Sequence, residues 1–157
     1  GSTPSSTAAT IGDSLEAYHY KDIYFSKQPS TAEIIKLKEQ GFKHIVNFRQ
    51  ASEHDKKAEK RQVESLGMNY SHIPFPQGAL TDAYITSVPK AVAKHRIEGK
   101  TLIHCSSGNR VAIWVGGHFF KDHKYSTEKS LLVAKDMGLN HAGSTTKLME
   151  YLEKQKK

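Results

Sequence analysis

The run His104-Cys105-Ser106-Ser107-Gly108-Asn109-Arg110 carries the residue types in this sequence best suited to covalent chemistry. It lies between Thr101-Leu102-Ile103, which reads as a buried strand, and Val111-Ala112-Ile113-Trp114-Val115, which reads as an apolar helix. A strand–loop–helix turn points successive backbone N–H groups and the positive end of a helix dipole into one small concavity, and that concavity suits an oxyanion. A cysteine at its base, among N–H donors and near Arg110, is favoured as the thiolate, the form that attacks. The planar fork of Arg110 can grip two oxygens of a tetrahedral anion. Gly108 lets the loop adopt a left-handed backbone without a steric penalty. These residues suit attack by Cys105 on a bound phosphoryl group, giving a cysteinyl-phosphate that water then cleaves. Ser106, Ser107, Gly108 and Asn109 would form the anion cradle, and Arg110 would stabilise the charge on the equatorial oxygens. His104 is read as bracing the loop through a ring hydrogen bond rather than as a base. The scheme calls for no metal and no cofactor.

The loop needs a scaffold, and the chain has the size for one. It is 157 residues long, with 37% hydrophobic and 25% charged residues. That length supports a single core without staples. One cysteine excludes a disulfide framework, and no apolar run approaches the roughly 18–20 residues of a bilayer crossing. Strand signals fall at residues 22–25, 43–48, 69–75 and 100–104. Helices are expected between them. Ser30-Thr31-Ala32-Glu33 reads as a capping box for a helix that Gly41 stops, and residues 52–66 form a charged, exposed helix ending at Gly67. A run through Tyr84, Val88 and Val92 is interrupted by Pro89, which predicts a kink or a short helix before it. Ser126 and Ser144 are expected caps of two further helices, and the Gly116-Gly117 pair predicts close helix packing or a bend. This alternation predicts an α/β fold with a small, mainly parallel sheet of four to five strands covered on both faces. Residues 1–15 read as a loose N-terminal segment, with Gly1-Ser2 as a cloning scar, and residues 16–157 as one domain.

The motif resembles the signature His-Cys-x5-Arg of the cysteine-dependent protein tyrosine and dual-specificity phosphatases. Only four residues separate Cys105 from Arg110, one fewer than that signature. The short loop is similar to a bacterial branch of the dual-specificity type, including the phosphatase-like domain fused to some β-lactamase-like hydrolases. The resemblance extends to Ile23-Tyr24-Phe25-Ser26-Lys27-Gln28-Pro29, to Gly41-Phe42-Lys43-His44-Ile45-Val46-Asn47-Phe48-Arg49 and to Tyr70-Ser71-His72-Ile73-Pro74-Phe75, about residues 20–140 in all. It implies a small central sheet flanked by helices, a site at the strand ends, and a phosphorylated protein or small molecule as substrate. It also implies an aspartate general acid in the loop after residues 70–75. That loop reads Phe75-Pro76-Gln77-Gly78-Ala79-Leu80-Thr81-Asp82, so Gln77, which cannot supply a proton as an acid does, holds the corresponding position. Asp82 is the nearest candidate acid; its plainer reading is a first-turn helix charge next to Thr81. A missing acid would remove roughly 10²–10⁴-fold of rate for alkyl leaving groups and less for phenolic ones, so aryl phosphates are the preferred substrates. Val111 stands where the family often has Ser or Thr, which predicts slow turnover of the intermediate.

A rhodanese-like sulfurtransferase also resembles this loop, because its active cysteine often opens a short Cys-Arg-x-Gly-x-Arg run, one residue shorter than the phosphatase loop; loop length favours it, while His104 and the upstream matches favour the phosphatase. A phosphate-binding module that has lost catalysis is the third reading, kept open by Gln77 and Val111. Arg49 could line the same crevice or pair with the charged helix after Ser52. The nine histidines are scattered rather than set at metal-ligand spacing, His118 and His123 included, and surface or packing roles are the plainer account. Trp114 reads as core, and Tyr18, Tyr20, Tyr70 and Tyr84 could border the cleft. The net charge of +7 fits anion steering. Around the charged helix, Lys56, Lys57, Lys60 and Arg61 are diluted by Glu53, Asp55, Glu59 and Glu64, so no nucleic-acid partner is expected. Lys154, Lys156 and Lys157 read as a solvated helix end. An exported, periplasmic location is favoured over a cytoplasmic one on the chain start alone, and the oligomeric state is left open.

Overall fold

The computed structural model describes residues 7–95 and 99–155. Among these residues six strands form one sheet, β1 (Thr7–Ile11), β2 (Leu15–Tyr20), β3 (Ile23–Ser26), β4 (Phe42–Asn47), β5 (Asn69–His72) and β6 (Lys100–His104), in the order β1-β2-β3-β6-β4-β5. The four strands from β3 to β5 run parallel, and β1 and β2 add an antiparallel hairpin at one edge. The mainly parallel sheet is therefore as expected, with more strands than the four to five read from sequence. The difference lies in the N-terminal segment. Residues 7–15, expected to be loose, build β1, its turn and the start of β2; residues 1–6 lie outside the described residues. Ile11, Leu15 and Ala17 are buried there in a cluster with Ile34 and Leu37. The turn between the strands is fastened by Glu33, whose carboxylate accepts from the Asp13 N–H at 3.1 Å and the Ser14 hydroxyl at 3.3 Å.

Among the described residues, six helices cover the sheet: α1 (Thr31–Glu39), α2 (Lys56–Ser65), α3 (Asp82–Lys94), α4 (Asn109–Asp122), α5 (Thr127–Asp136) and α6 (Ala142–Lys154). The central strands are apolar on both faces, as a sheet covered twice must be. On β4, Ile45 joins the cluster with Ile34 and Val63 while Val46 joins Ile85, Ile113 and Leu148; on β6, Leu102 and Ile103 divide the same way. The expected caps form at Ser30 and Ser126, whose hydroxyls accept from the N–H groups of Glu33 and Lys129 at 3.1 Å each. Helix α6 differs: it starts at Ala142, with His141 rather than Ser144 at its N-cap. Pro89 sits inside α3, which continues past it to Lys94. Gly116 and Gly117 are the close-packing pair. A Cβ on Gly116 would lie 2.7 Å from Leu148 Cδ2, and one on Gly117 would lie 2.8 Å from Ile85 Cδ1. These two glycines let α6 and α3 approach α4 and so fix the helix that carries Arg110.

Candidate active site

β6 is central, and its end is level with both neighbours: His104 pairs with Ser26 on β3 and with Asn47 on β4. Parallel strands leave their final backbone groups at one sheet edge, so the next residues of all three chains meet there. The Gln28 N–H donates to the Ser106 carbonyl at 3.1 Å, and the Phe48 N–H donates to the His104 carbonyl at 2.8 Å. The loop after β6 is thus tied from both sides before α4 begins. Gly108 occupies the N-cap with φ of 97°, the left-handed backbone expected of it. Its N–H donates to Cys105 Sγ at 3.1 Å. Cys105 is fully buried at the floor of the loop, while Ser106 and Ser107 are exposed.

Arg110 stands at the start of α4 and reaches Glu53 through both arms of its fork. Nη1 donates to Oε1 at 2.6 Å and Nη2 to Oε2 at 2.9 Å. Arg110 hydrogen bonding, ahead of every other influence, holds the Glu53 carboxyl down at about 2. Glu53 also accepts from Arg49 Nε at 3.2 Å and from the Gln50 N–H at 2.6 Å. Of the two readings of Arg49, the ion pair is the one that forms. Asn109, expected only as a cradle residue, does more: its Oδ1 accepts from the N–H groups of Asn140 and His141 at 3.0 and 3.1 Å. Its Nδ2 donates to Asn140 Oδ1 at 3.0 Å. The segment before α6 is thereby stapled to the loop.

His104 braces the loop as expected, and its partner is Glu59. The ring Nδ1 faces the Cys105 carbonyl at 3.1 Å and Nε2 faces Glu59 Oε2 at 2.9 Å. Glu59, read from sequence as an exposed diluting charge, is buried. Burial alone would raise its carboxyl, but hydrogen bonding from His104, Gln28 and Tyr70 and the His104 charge bring it down to about 2.

A cleft of about 400 Å³ opens beside Arg110, lined among others by Gln50, Phe75, Gln77, His141 and Lys147. Gln77 is exposed on its wall. Asp82 is not among the lining residues; it accepts from the Tyr151 hydroxyl at 2.5 Å in the first turn of α3, after the Thr81 cap. Lys147 was not singled out in the sequence. Its ammonium donates to the Pro76 carbonyl and lies 4.8 Å from the centre of the Phe75 ring. Burial, then the nearby Arg110 charge, lowers its pKa. The four tyrosines do not line this cleft. Tyr70 turns to Glu59, Tyr84 donates to the Ile73 carbonyl at 2.7 Å, and Tyr20 packs edge-on against Phe119. Tyr18 borders a separate hollow of about 180 Å³ behind Ser107 and Gly108. Trp114 is core, with its indole N–H on the Ile85 carbonyl at 3.2 Å.

A buried thiol under a loop of amides, an arginine in the first turn of the following helix and a mainly parallel sheet flanked by helices define the cysteine-dependent tyrosine and dual-specificity phosphatase fold. Residues 18–118 match the family described as the phosphatase-like domain of β-lactamase hydrolase-like protein, and the chain belongs to that family. Two β-lactamase hydrolase-like proteins are similar to it. The one from Xylella fastidiosa is 33% identical over 89 residues, 54% of this chain and 20% of that protein. The one from Agrobacterium fabrum is 28% identical over 133 residues, 82% of this chain and 29% of that protein. The chain thus spans less than a third of either relative. Among solved structures, TpbA of P. aeruginosa shares the fold with a TM-score of 0.75 at 18% identity, covering 97% of this chain and 91% of its own. A form of TpbA with a cysteine-to-serine substitution was solved in complex with phosphotyrosine.

Proposed function

We propose that this chain is a cysteine-dependent phosphomonoesterase that favours aryl phosphates, phosphotyrosine among them. The observation that carries the reading is the Gly108 N–H on Cys105 Sγ at 3.1 Å, with Arg110 in the first turn of the helix that Gly108 caps. The Cys105 thiolate attacks phosphorus; an S–P bond forms as the ester P–O bond breaks, and the alcohol oxygen leaves with the electron pair. Water then attacks the cysteinyl-phosphate, releasing orthophosphate and a proton and returning the thiolate. The amides of residues 106–109 and the Arg110 guanidinium stabilise the charge spread over the equatorial oxygens.

The leaving oxygen has poorer support. Gln77 on the cleft wall has no acidic proton, and the bond from Tyr151 favours reading Asp82 as a helix-end carboxylate rather than the acid. A phenolate departs without protonation more readily than an alkoxide, and this supports the aryl preference. The sulfurtransferase reading weakens because family and fold both lie with the phosphatases. Purified protein offered an aryl phosphate, and separately thiosulfate with cyanide, tests the proposal. Phosphate release lost in Cys105→Ser is expected, whereas thiocyanate formation without phosphate release would overturn it.

A further inference from the structure

The hydrogen bonds around His104 fix more than the position of its ring. Nδ1 faces a backbone carbonyl and Nε2 faces a carboxylate, at 3.1 and 2.9 Å. Both partners only accept, so each contact is a hydrogen bond where the ring nitrogen facing it carries a proton. Glu59 is saturated with donors in turn: Oε2 accepts from His104 and from the Tyr70 hydroxyl at 2.9 Å, and Oε1 accepts from Gln28 Nε2 at 2.6 Å. Tyr70 accepts from Asn47 Nδ2 at 2.8 Å, which sets the direction of its own proton toward Glu59. From this one carboxylate two routes run to the loop. One passes through His104 to the Cys105 carbonyl; the other passes through Gln28, whose N–H holds the Ser106 carbonyl at 3.1 Å.

We infer that Glu59 is the positioning residue of the site, holding His104 as a doubly protonated ring whose positive edge lies against Cys105. A buried imidazolium survives only beside a counter-charge. Removing the Glu59 charge therefore makes His104 neutral and withdraws positive charge from the thiolate. Among the described residues, the other ionisable groups facing this pair are Tyr70 on β5 and, after β4, His54 and Arg49 with Glu53 beyond them; Arg110 faces Cys105 from α4 and Tyr84 faces it from α3. None of them offers a second carboxylate to the His104 ring, since Glu53 is held by the two arginines. The inference rests on Cys105 being the nucleophile, yet its test does not need turnover.

Cys105 is the only cysteine in the chain, so iodoacetamide alkylation measured against pH reads one thiol. Glu59→Gln keeps the shape and removes the charge. The expected result is an alkylation profile displaced to higher pH by about one unit, a roughly tenfold slower reaction on the acid side of the midpoint. His104→Asn should displace it in the same direction, and the double variant no further than the larger single one, as two members of one network behave. In ¹⁵N–¹H spectra the His104 ring should show two N–H groups in the natural protein and one in Glu59→Gln. A wild-type alkylation profile in folded Glu59→Gln would overturn the inference. So would a single ring proton on His104 in the unmodified protein, a result that needs no variant to fold. A displaced profile in a protein that hydrolyses no aryl phosphate would sink the phosphatase reading and leave Glu59 in place; hydrolysis with an undisplaced profile would do the reverse.

Discussion

Two segments meet at the cleft, residues 104–110 through Arg110 and residues 75–82 through Phe75, Pro76 and Gln77, and the walls they contribute to are built to different standards. In residues 104–110, which give the cleft Arg110, four residues are committed: Gly108 to the thiol, His104 to Glu59, Asn109 to residues 140 and 141, Arg110 to Glu53. Along residues 75–82, Gln77 is exposed on the lining, and the one carboxylate, Asp82, lies off it and is held by Tyr151. Preorganised donors stabilise charge best because they need not reorient during reaction. The first wall is suited to hold a phosphoryl group and its developing charge. The second offers no comparable group to the leaving oxygen. On the proposed function, nucleophile and anion binding are strongly specified, and proton supply is not.

That contrast can be broken or sharpened, beginning with the largest effect. Cys105→Ser should lower aryl phosphate hydrolysis by on the order of 10⁴-fold or more while vanadate still binds, as calorimetry would show; retained turnover would dissolve the first wall's role. The ratio of aryl to alkyl phosphate turnover should exceed about 10²-fold in the natural protein, and Gln77→Asp should narrow it by raising the alkyl rate. Asp82→Asn should leave that ratio and its pH dependence unchanged, and a collapse of either would return Asp82 to the acid's role. Arg110→Lys should cost about 10²-fold in kcat/KM, because a point charge cannot replace the fork held by Glu53. Gly116→Ala, outside both walls, should lower stability by about 1–3 kcal/mol in urea unfolding through the clash with Leu148.

The carboxylates behind the first wall also leave a mark on stability. Glu53 and Glu59 are both held at about 2, below the 4.5 of an unperturbed glutamate. A carboxyl depressed on folding stabilises the protein above its unfolded value, and the gain is lost as pH falls toward the folded one. The urea midpoint should therefore fall between pH 4.5 and 2, and Glu59→Gln should make that fall shallower. His44 adds to the decline at milder acidity, since burial and then His95 hold it at about 4 against an ordinary 6.5. A base with a depressed folded value is likewise stabilising above its unfolded value and loses that contribution as pH drops from 6.5 to 4.

How far the sequence could be read follows from distance along the chain. The cradle was legible because β6, the loop and the start of α4 are consecutive, so residue types and spacing alone give its geometry. Glu53, Glu59 and Lys147 come to it from other elements through the parallel topology, and no local pattern marks them. In the sequence Glu59 is one charge among many on a polar helix; only the packing of α2 on the sheet turns it inward, beside Val63 and away from Lys60. The hairpin of β1 and β2 had a signal, the buried alternation of Leu15 and Ala17 after the Gly12-Asp13 turn. It was overshadowed by the run of small polar residues before it.

The most direct test of the account is to trap the intermediate. The protein is mixed with an aryl phosphate, quenched in acid within the first turnovers and analysed by peptide mass spectrometry. A phosphoryl group on the peptide containing Cys105, absent in Cys105→Ser, is the predicted result. Orthophosphate released at full rate with that peptide unmodified throughout, and equally by Cys105→Ser, would contradict it.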